Sequence, residues 1–360
     1  MKDKQSKLLP TGKLNTRLLE EIFEEYNSPQ MQHNLKNSRF LDSYNDSKSR
    51  VKLGFAIGED AAVIEMHGNN SLVVKTDPIT FATEDIGYYV VNVNANDVAA
   101  MGATPKWFQA TILLPENIAS EELAKKICID IQKSCLELGI FLIGGHTEVS
   151  YGLNRPIVIG SMIGEVKKGN YIQSSGGKPG DAIILTKGIP LEGTSIIARE
   201  KETLLLERGI SSDEINKSKN LLFEPGISVI KEASIAVKHF KVHAMHDPTE
   251  GGLSMGLVEL AKASGCGFLI KFEKIPIISE GKKLCAIFEL NPLQTISSGS
   301  LLIVVDKLKS EKLVKILNDE GIVASKIGNL TSEKKYLISR EGKIEDIPYS
   351  EKDEITKIFQ

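Results

Sequence analysis

The sequence is poor in the features that mark secreted, membrane-spanning or nucleic-acid-binding chains. Its 360 residues contain four cysteines, Cys128, Cys135, Cys266 and Cys285, and no two form a C-x-x-C pair. So few thiols make no disulfide framework, and a reducing, cytoplasmic setting is expected. The opening MKDKQSKLLPTGK carries no apolar leader segment, so no signal peptide is expected. No apolar run approaches the ~20 residues of a membrane-spanning helix. Lys and Arg number 44 against 47 Asp and Glu, a net charge of −3. No global field draws such a chain to nucleic acid or an anionic membrane. Standard phosphate loops are missing too: there is no G-x-x-x-x-G-K-[ST] and no G-x-G-x-x-G after a strand. The kinase H-R-D and D-F-G signatures are absent. Gly252-Leu253-Ser254-Met255-Gly256 matches G-x-S-x-G, but an α/β-hydrolase places its histidine downstream of the serine. All six histidines, His33, His67, His146, His239, His243 and His246, precede Ser254.

What is present is ordinary globular composition, with 41% hydrophobic and 25% charged residues. The length suggests two domains at roughly 150 residues each. Leu14, Leu18, Ile22 and Tyr26 mark an amphipathic first helix, and the polar stretch Asn27 to Arg50 reads as a loop or linker, closing a segment over 1–50. Strands are expected at 61–66, 71–76, 108–114, at FLIGG and at 157–166. Residues 85–101 read as a helix apolar nearly all round, hence buried. Ser120 is placed to cap a long helix whose core stripe is Leu123, Ile127, Ile131, Cys135 and Leu138. This β-β-α-β-α-β order is α+β, not a run of βαβ units. SSGGKPGD (174–181) breaks the pattern. The expected domains are 51–170 and a mixed α/β domain over 171–345, with a tail over 346–360. The second has strands at AIILTKG, GFLIKFE and 300–306, and two short strands at its end. Its helices are expected near 192–207, 226–239, 251–265, 280–290 and 310–319.

Acidic residues recur at element ends beside small residues. Asp60 precedes a strand and Asp77 ends one. Gly144-Gly145-His146-Thr147-Glu148 follows the FLI strand, and His246-Asp247-Pro248-Thr249-Glu250 precedes a helix. Singly, Asp60 fits an Asx-turn, Asp77 a turn before proline, and Asp247 a helix cap. Asp97 is harder to place. A carboxylate in a buried helix is costly unless it is paired or metal-bound. Carboxylates converging on one site would suit Mg²⁺, which takes a few carboxylates together with water and substrate phosphates. The spacing alone is not specific.

GEDAAVIE, KTDPITF, DIGYYVVNVNANDVAAMGATP, GGHTE and HDPTEGGL occur in an order that resembles the aminoimidazole-ribotide-synthetase-like (PurM-like) superfamily. That superfamily includes thiamine-monophosphate kinase, selenophosphate synthetase and the hydrogenase-maturation protein HypE. The likeness runs from about Gly54 to Val305. HDPTEGGL looks most like HypE and GEDAAVI like thiamine-monophosphate kinase. The resemblance implies a two-domain fold whose N-terminal sheet pairs with a dimer mate's to make a β-barrel, beside an α/β C-terminal domain. It implies ATP and Mg²⁺ in clefts between them, phosphorylation or activation of a small-molecule substrate, a homodimer, and a maturation-protein partner. Metal ligation is then expected from Asp60, Asp77, Asp97, Glu148, Asp247 and Glu250. Cofactor contacts are expected from Thr76, Asn94, Asn96, Gly144, Gly145 and Thr147, with Lys75, His146 and His246 catalytic. Lys75 reads either as a point charge for a phosphate or as an edge-strand lysine. HypE carries its substrate on a terminal cysteine, whereas this sequence closes on Lys-Ile-Phe-Gln. The expectation is therefore that ATP acts on a free or separately delivered substrate, in a cleft bounded by Lys75, His146 and His246.

Overall fold

The computed structural model describes residues 16–26, 41–54, 59–80, 82–350 and 352–359. Two short helices come first, α1 (Thr16–Tyr26) and α2 (Leu41–Arg50). The second replaces the end of the expected linker, from Leu41 on; residues 27–40, like Leu14, lie outside the described residues. Its sequence, LDSYNDSKSR, has no apolar stripe, and Asp42 near its start and Lys48 and Arg50 near its end suit the helix dipole.

The first half continues β1 (Val51–Leu53), β2 (Ala62–Glu65), β3 (Asn70–Ile79), α3 (Ile86–Ala100), β4 (Thr104–Pro115), α4 (Glu121–Glu137), β5 (Phe141–Ser150) and β6 (Ile157–Lys167). The strands form one open six-stranded sheet, ordered β1-β2-β3-β6-β4-β5. All neighbours are antiparallel except β4 and β5. The barrel expected from the resemblance is not closed within one chain, since β1 and β5 are edges. β3 is interior, so Lys75 is not an edge-strand lysine. Helix α3 is buried at every position but Tyr88 and lies against β3, β4, β6 and α4. Ser120 caps α4 as its sequence indicates, accepting from the Leu123 N–H at 3.2 Å.

The second half runs β7 (Ala182–Thr186), α5 (Leu191–Glu200), α6 (Glu202–Glu207), α7 (Ser212–Asn220), α8 (Ile230–His239), β8 (Val242–His246), α9 (Gly252–Ala263), β9 (Gly267–Lys271), α10 (Ser279–Ile287), β10 (Leu302–Val305), α11 (Lys307–Asp319), β11 (Ala324–Thr331), β12 (Tyr336–Arg340) and β13 (Lys343–Asp346). Its seven strands are ordered β13-β12-β9-β11-β7-β10-β8, antiparallel except for β12 beside β9. The single helix expected over 192–207 is two, parted at Lys201, and α7 is an addition. The architecture is the expected mixed α+β, two-domain fold. One apolar core runs from the first sheet through α3 into Leu191, Ile196 and Ile197 of α5. It also takes in Ile355 and Ile358, so the segment expected as a tail is packed, not peripheral.

Candidate functional site

Four segments from both halves of the chain meet around α3. Asp60 leads into β2, Lys75 and Asp77 stand on β3, Asp97 projects from α3, and His246 ends β8 with Asp247 directly after it. Asp60, Asp97 and Asp247 are 6%, 3% and 1% exposed, and a carboxylate oxygen of each lies within 4.8 Å of the others. Alternation along β3 aims residues 75 and 77 to one face. That face meets α3, where Lys75 Nζ lies 3.0 Å from Asp97 Oδ2 and 3.2 Å from Asp77 Oδ2. Burial disfavours the Lys75 ammonium, but Asp97, Asp77 and Asp60 outweigh it and hold its pKa above the ordinary range.

His246 lies between two acids. Its Nδ1 is 2.6 Å from Asp60 Oδ1 and its Nε2 is 3.1 Å from Glu259 Oε2. Ionised carboxylates only accept, so facing two of them favours a proton on both ring nitrogens, the imidazolium form. Burial works against that charge, yet Asp60 and Glu259 together raise the pKa well above its usual value. With both nitrogens engaged, the ring orients Asp60 and has no free lone pair with which to take a proton. Removing it would leave buried acids facing each other, at a cost of about 3–5 kcal/mol.

The remaining oxygens are bare. Asp60 Oδ2 and both Oδ1 and Oδ2 of Asp247 are buried without a hydrogen-bond partner. Burial, then the Asp60 charge, pushes Asp247 up to about 6. Burial likewise raises Asp97 well above the carboxylate range, against the pull of Lys75. Five carboxylates (Asp60, Asp77, Asp97, Asp247 and Glu259) face two cations, Lys75 and His246. Bare buried carboxylate oxygens are costly, and an all-oxygen donor set of this kind fits a hard divalent cation.

The structure sorts the other expected site residues. Thr76 Oγ1 donates to the Gly160 carbonyl at 2.7 Å. The Asn94 amide clasps the Asp77 peptide: its Oδ1 accepts from Asp77 N at 2.8 Å, and its Nδ2 donates to Asp77 O at 3.2 Å and to Val90 O at 2.8 Å. Asn96 accepts from Val229 N at 2.8 Å and donates to Ile227 O at 2.7 Å. These three side chains are engaged with backbone, so they fix the site's frame. Glu250 lies in the turn before α9, outside the acidic triad. Gly144, Gly145, His146, Thr147 and Glu148 do not follow a strand but form the middle of β5, where they are exposed. His146 Nε2 lies 3.1 Å from Glu148 Oε2, and neither joins the triad. A Cβ on Gly145 would sit 2.1 Å from the Ala110 carbonyl oxygen, so close strand packing alone requires glycine there. Glu259 was not anticipated. Its signal was its setting, a lone acid in the largely apolar GLSMGLVELA, the same pattern that singles out Asp97. The G-x-S-x-G serine, Ser254, is fully buried in the first turn of α9, without a partner for its hydroxyl.

Comparison with known proteins gives a family and a fold. The family model described as AIR synthase related protein, N-terminal domain, matches residues 58–166, and its C-terminal counterpart matches 178–339. A provisionally named hydrogenase expression/formation protein of Methanocaldococcus jannaschii is 33% identical over 295 residues, 79% of this chain and 83% of that one. Carbamoyl dehydratase HypE of Cupriavidus necator is 27% identical over 79% of this chain and 80% of its own length. Thiamine-monophosphate kinase of Buchnera aphidicola is 30% identical over 61% of this chain and 67% of its own length. Among solved structures, HypE in a complex with HypF matches at a TM-score of 0.68 and 22% identity, over 92% of this chain and 99% of that one. HypE in complex with ATP matches at 0.68 and 21% identity, over 91% and 96%. No helix among the described residues is long and apolar enough to cross a membrane. Motif order, fold and the match to both domain models agree: this chain belongs to the AIR synthase related family.

Proposed function

We propose that this protein is an ATP- and Mg²⁺-dependent enzyme that phosphorylates, or activates by phosphorylation, a small-molecule substrate. The observation that carries this reading is the set of bare, buried oxygens on Asp60 and Asp247 beside Asp97. Asp60, Asp97 and Asp247 would hold Mg²⁺, which supplies charge neutralisation to the phosphates. Phosphoryl transfer asks the protein chiefly for positioning and electrostatics. Lys75, kept protonated between Asp77 and Asp97, offers a point charge for a phosphate oxygen. His246 holds Asp60 in place and does not shuttle a proton. The ATP-bound HypE neighbour and the kinase relative support the nucleotide.

The site works in a homodimer formed through β5. This edge strand and the turn after it expose Phe141 at 70%, Val149 at 59% and Tyr151 at 90%, an apolar strip that water disfavours. The HypE–HypF complex among the structural neighbours supports a maturation protein as partner. The four thiols are unpaired, which supports a reducing, cytoplasmic setting.

The test is ADP or AMP release from Mg-ATP across a metabolite panel that includes thiamine monophosphate and carbamoylated thiols. Release stimulated by one compound is expected. Saturable ATP binding without turnover on any compound would replace the reading with that of a non-catalytic nucleotide-binding module.

A further inference from the structure

The segment after β13 carries a buried aspartate that the proposed chemistry does not use. Asp353 is 3% exposed and accepts three backbone N–H groups. Its Oδ1 takes Ile355 N at 2.7 Å and Ile296 N at 3.2 Å, while its Oδ2 takes Gly251 N at 2.6 Å. The first two bonds fold the segment on itself and onto the loop before β10. The third reaches the turn that carries Asp247.

Gly251 is the residue before α9, and that helix has no side-chain cap of its own. Its φ of +79° is open to glycine, and a Cβ there would meet Met255 Cβ at 2.6 Å and Ser350 O at 2.9 Å. The Asp247–Gly251 turn is therefore shaped by the chain that passes behind it. Glu259, two turns along α9, faces His246. One bond from Asp353 thus bears on both the loop holding Asp247 and the helix holding the His246 partner. The segment itself is firmly seated: Ile355 and Ile358 are in the main core, Glu354 accepts from Asn291 N at 3.2 Å, and the Arg155 guanidinium lies 5.5 Å from the Phe359 ring centre.

We propose that Asp353 is a positioning residue for the site: by holding the Gly251 N–H it fixes the Asp247 turn and α9, and so sets the geometry in which Asp247 meets a divalent cation. The proposal rests on the metal-binding reading above. Its discriminating variant is Asp353→Asn. The amide oxygen can keep the Ile355 and Ile296 bonds, while the new NH₂ turns a donor toward the Gly251 donor.

Mn²⁺ affinity and amide exchange at Gly251 are to be measured on the full chain. In Asp353→Asn we expect about tenfold weaker Mn²⁺ binding, the scale of an outer-shell partner's loss, and at least tenfold faster exchange at Gly251. Leu313→Ala, in the separate core cluster around α11, is the stability control. It should lower the melting temperature and leave both readouts unchanged. If Asp353→Asn behaves like Leu313→Ala, the proposal is overturned. If the variant does not fold, exchange at Gly251 in the unaltered protein decides: slowing on Mn²⁺ addition supports the coupling, and no change overturns it. If the unaltered protein binds no Mn²⁺, the metal reading itself fails, while accelerated Gly251 exchange in Asp353→Asn still upholds the hold on the turn.

Discussion

Two segments of this chain share nearly the same letters: His246-Asp247-Pro248-Thr249-Glu250-Gly251-Gly252 and Gly144-Gly145-His146-Thr147-Glu148. Each brings a histidine, a threonine, acid and paired glycines, and each is expected to bind metal or nucleotide. Their circumstances are opposite. In the first, His246 is buried and fixed by two acids, and Asp247 is left with bare oxygens. In the second, His146 and Glu148 pair on an exposed edge strand, where water screens them. The same residue types store electrostatic tension when desolvated and hold almost none when wet. Among the described residues only the first segment brings the buried, partnerless oxygens that the proposed site needs; the second lies exposed.

The largest expected effect lies in the buried segment. Asp247→Asn should lower turnover roughly 10²–10³-fold, the value of a few kcal/mol of metal-borne charge stabilisation. The same change should raise the melting temperature, because burial disfavours a carboxylate whose oxygens lack hydrogen-bond donors. Turnover is read by ADP release and stability by calorimetry; a fall in both would mean that Asp247 is merely structural. His146→Ala, its counterpart on β5, should leave the melting temperature unchanged.

An intermediate effect is expected from covering or uncovering the second segment. Phe141→Glu places a charge on the apolar edge and should shift the protein from dimer to monomer at micromolar concentration, seen by light scattering. A dimer that persists would place the interface elsewhere and leave β5 wet.

The smallest effect separates burial from metal binding. Burial pushes Glu192 up to about 7, against the Ser298 N–H that its carboxylate accepts. The folded chain thus keeps this proton to higher pH than the unfolded one, whose value is about 4.3. The stability this contributes is full below about 4 and is lost as pH rises through about 7. Glu192→Gln should stabilise by about 1–3 kcal/mol at pH 8 and by little near pH 4.5, compared by urea unfolding. An equal effect at both values would remove burial as the cause.

Much of this was legible in the sequence, for physical reasons. The β-branched runs became strands, and the Ser120 cap formed as its chemistry requires. The mismatch between Asp97 and its apolar helix pointed to the triad that the fold assembles. What stayed hidden depends on distant contacts. Asp353 and Gly251 are over a hundred positions apart, and no local pattern links them. Glu259 read as one charge on one helix until its neighbours were in place. Helix α7 was missed despite a local signal, the Ser211–Glu214 capping box, because SDEINKSKN offers little apolar periodicity. The β5 motif was misplaced because glycines suggest a turn, whereas here Gly145 lets two parallel strands pack closely.

The central claim is that buried carboxylates from both halves of the chain make one cation site serving a nucleotide. The most direct test is calorimetric titration of ATP into the unaltered protein and into Asp97→Asn, each across a Mg²⁺ series. The account predicts saturable ATP binding that strengthens with Mg²⁺ in the former, and a Mg²⁺ response weaker by about 100-fold in the latter. The same Mg²⁺-dependence in both proteins would contradict it.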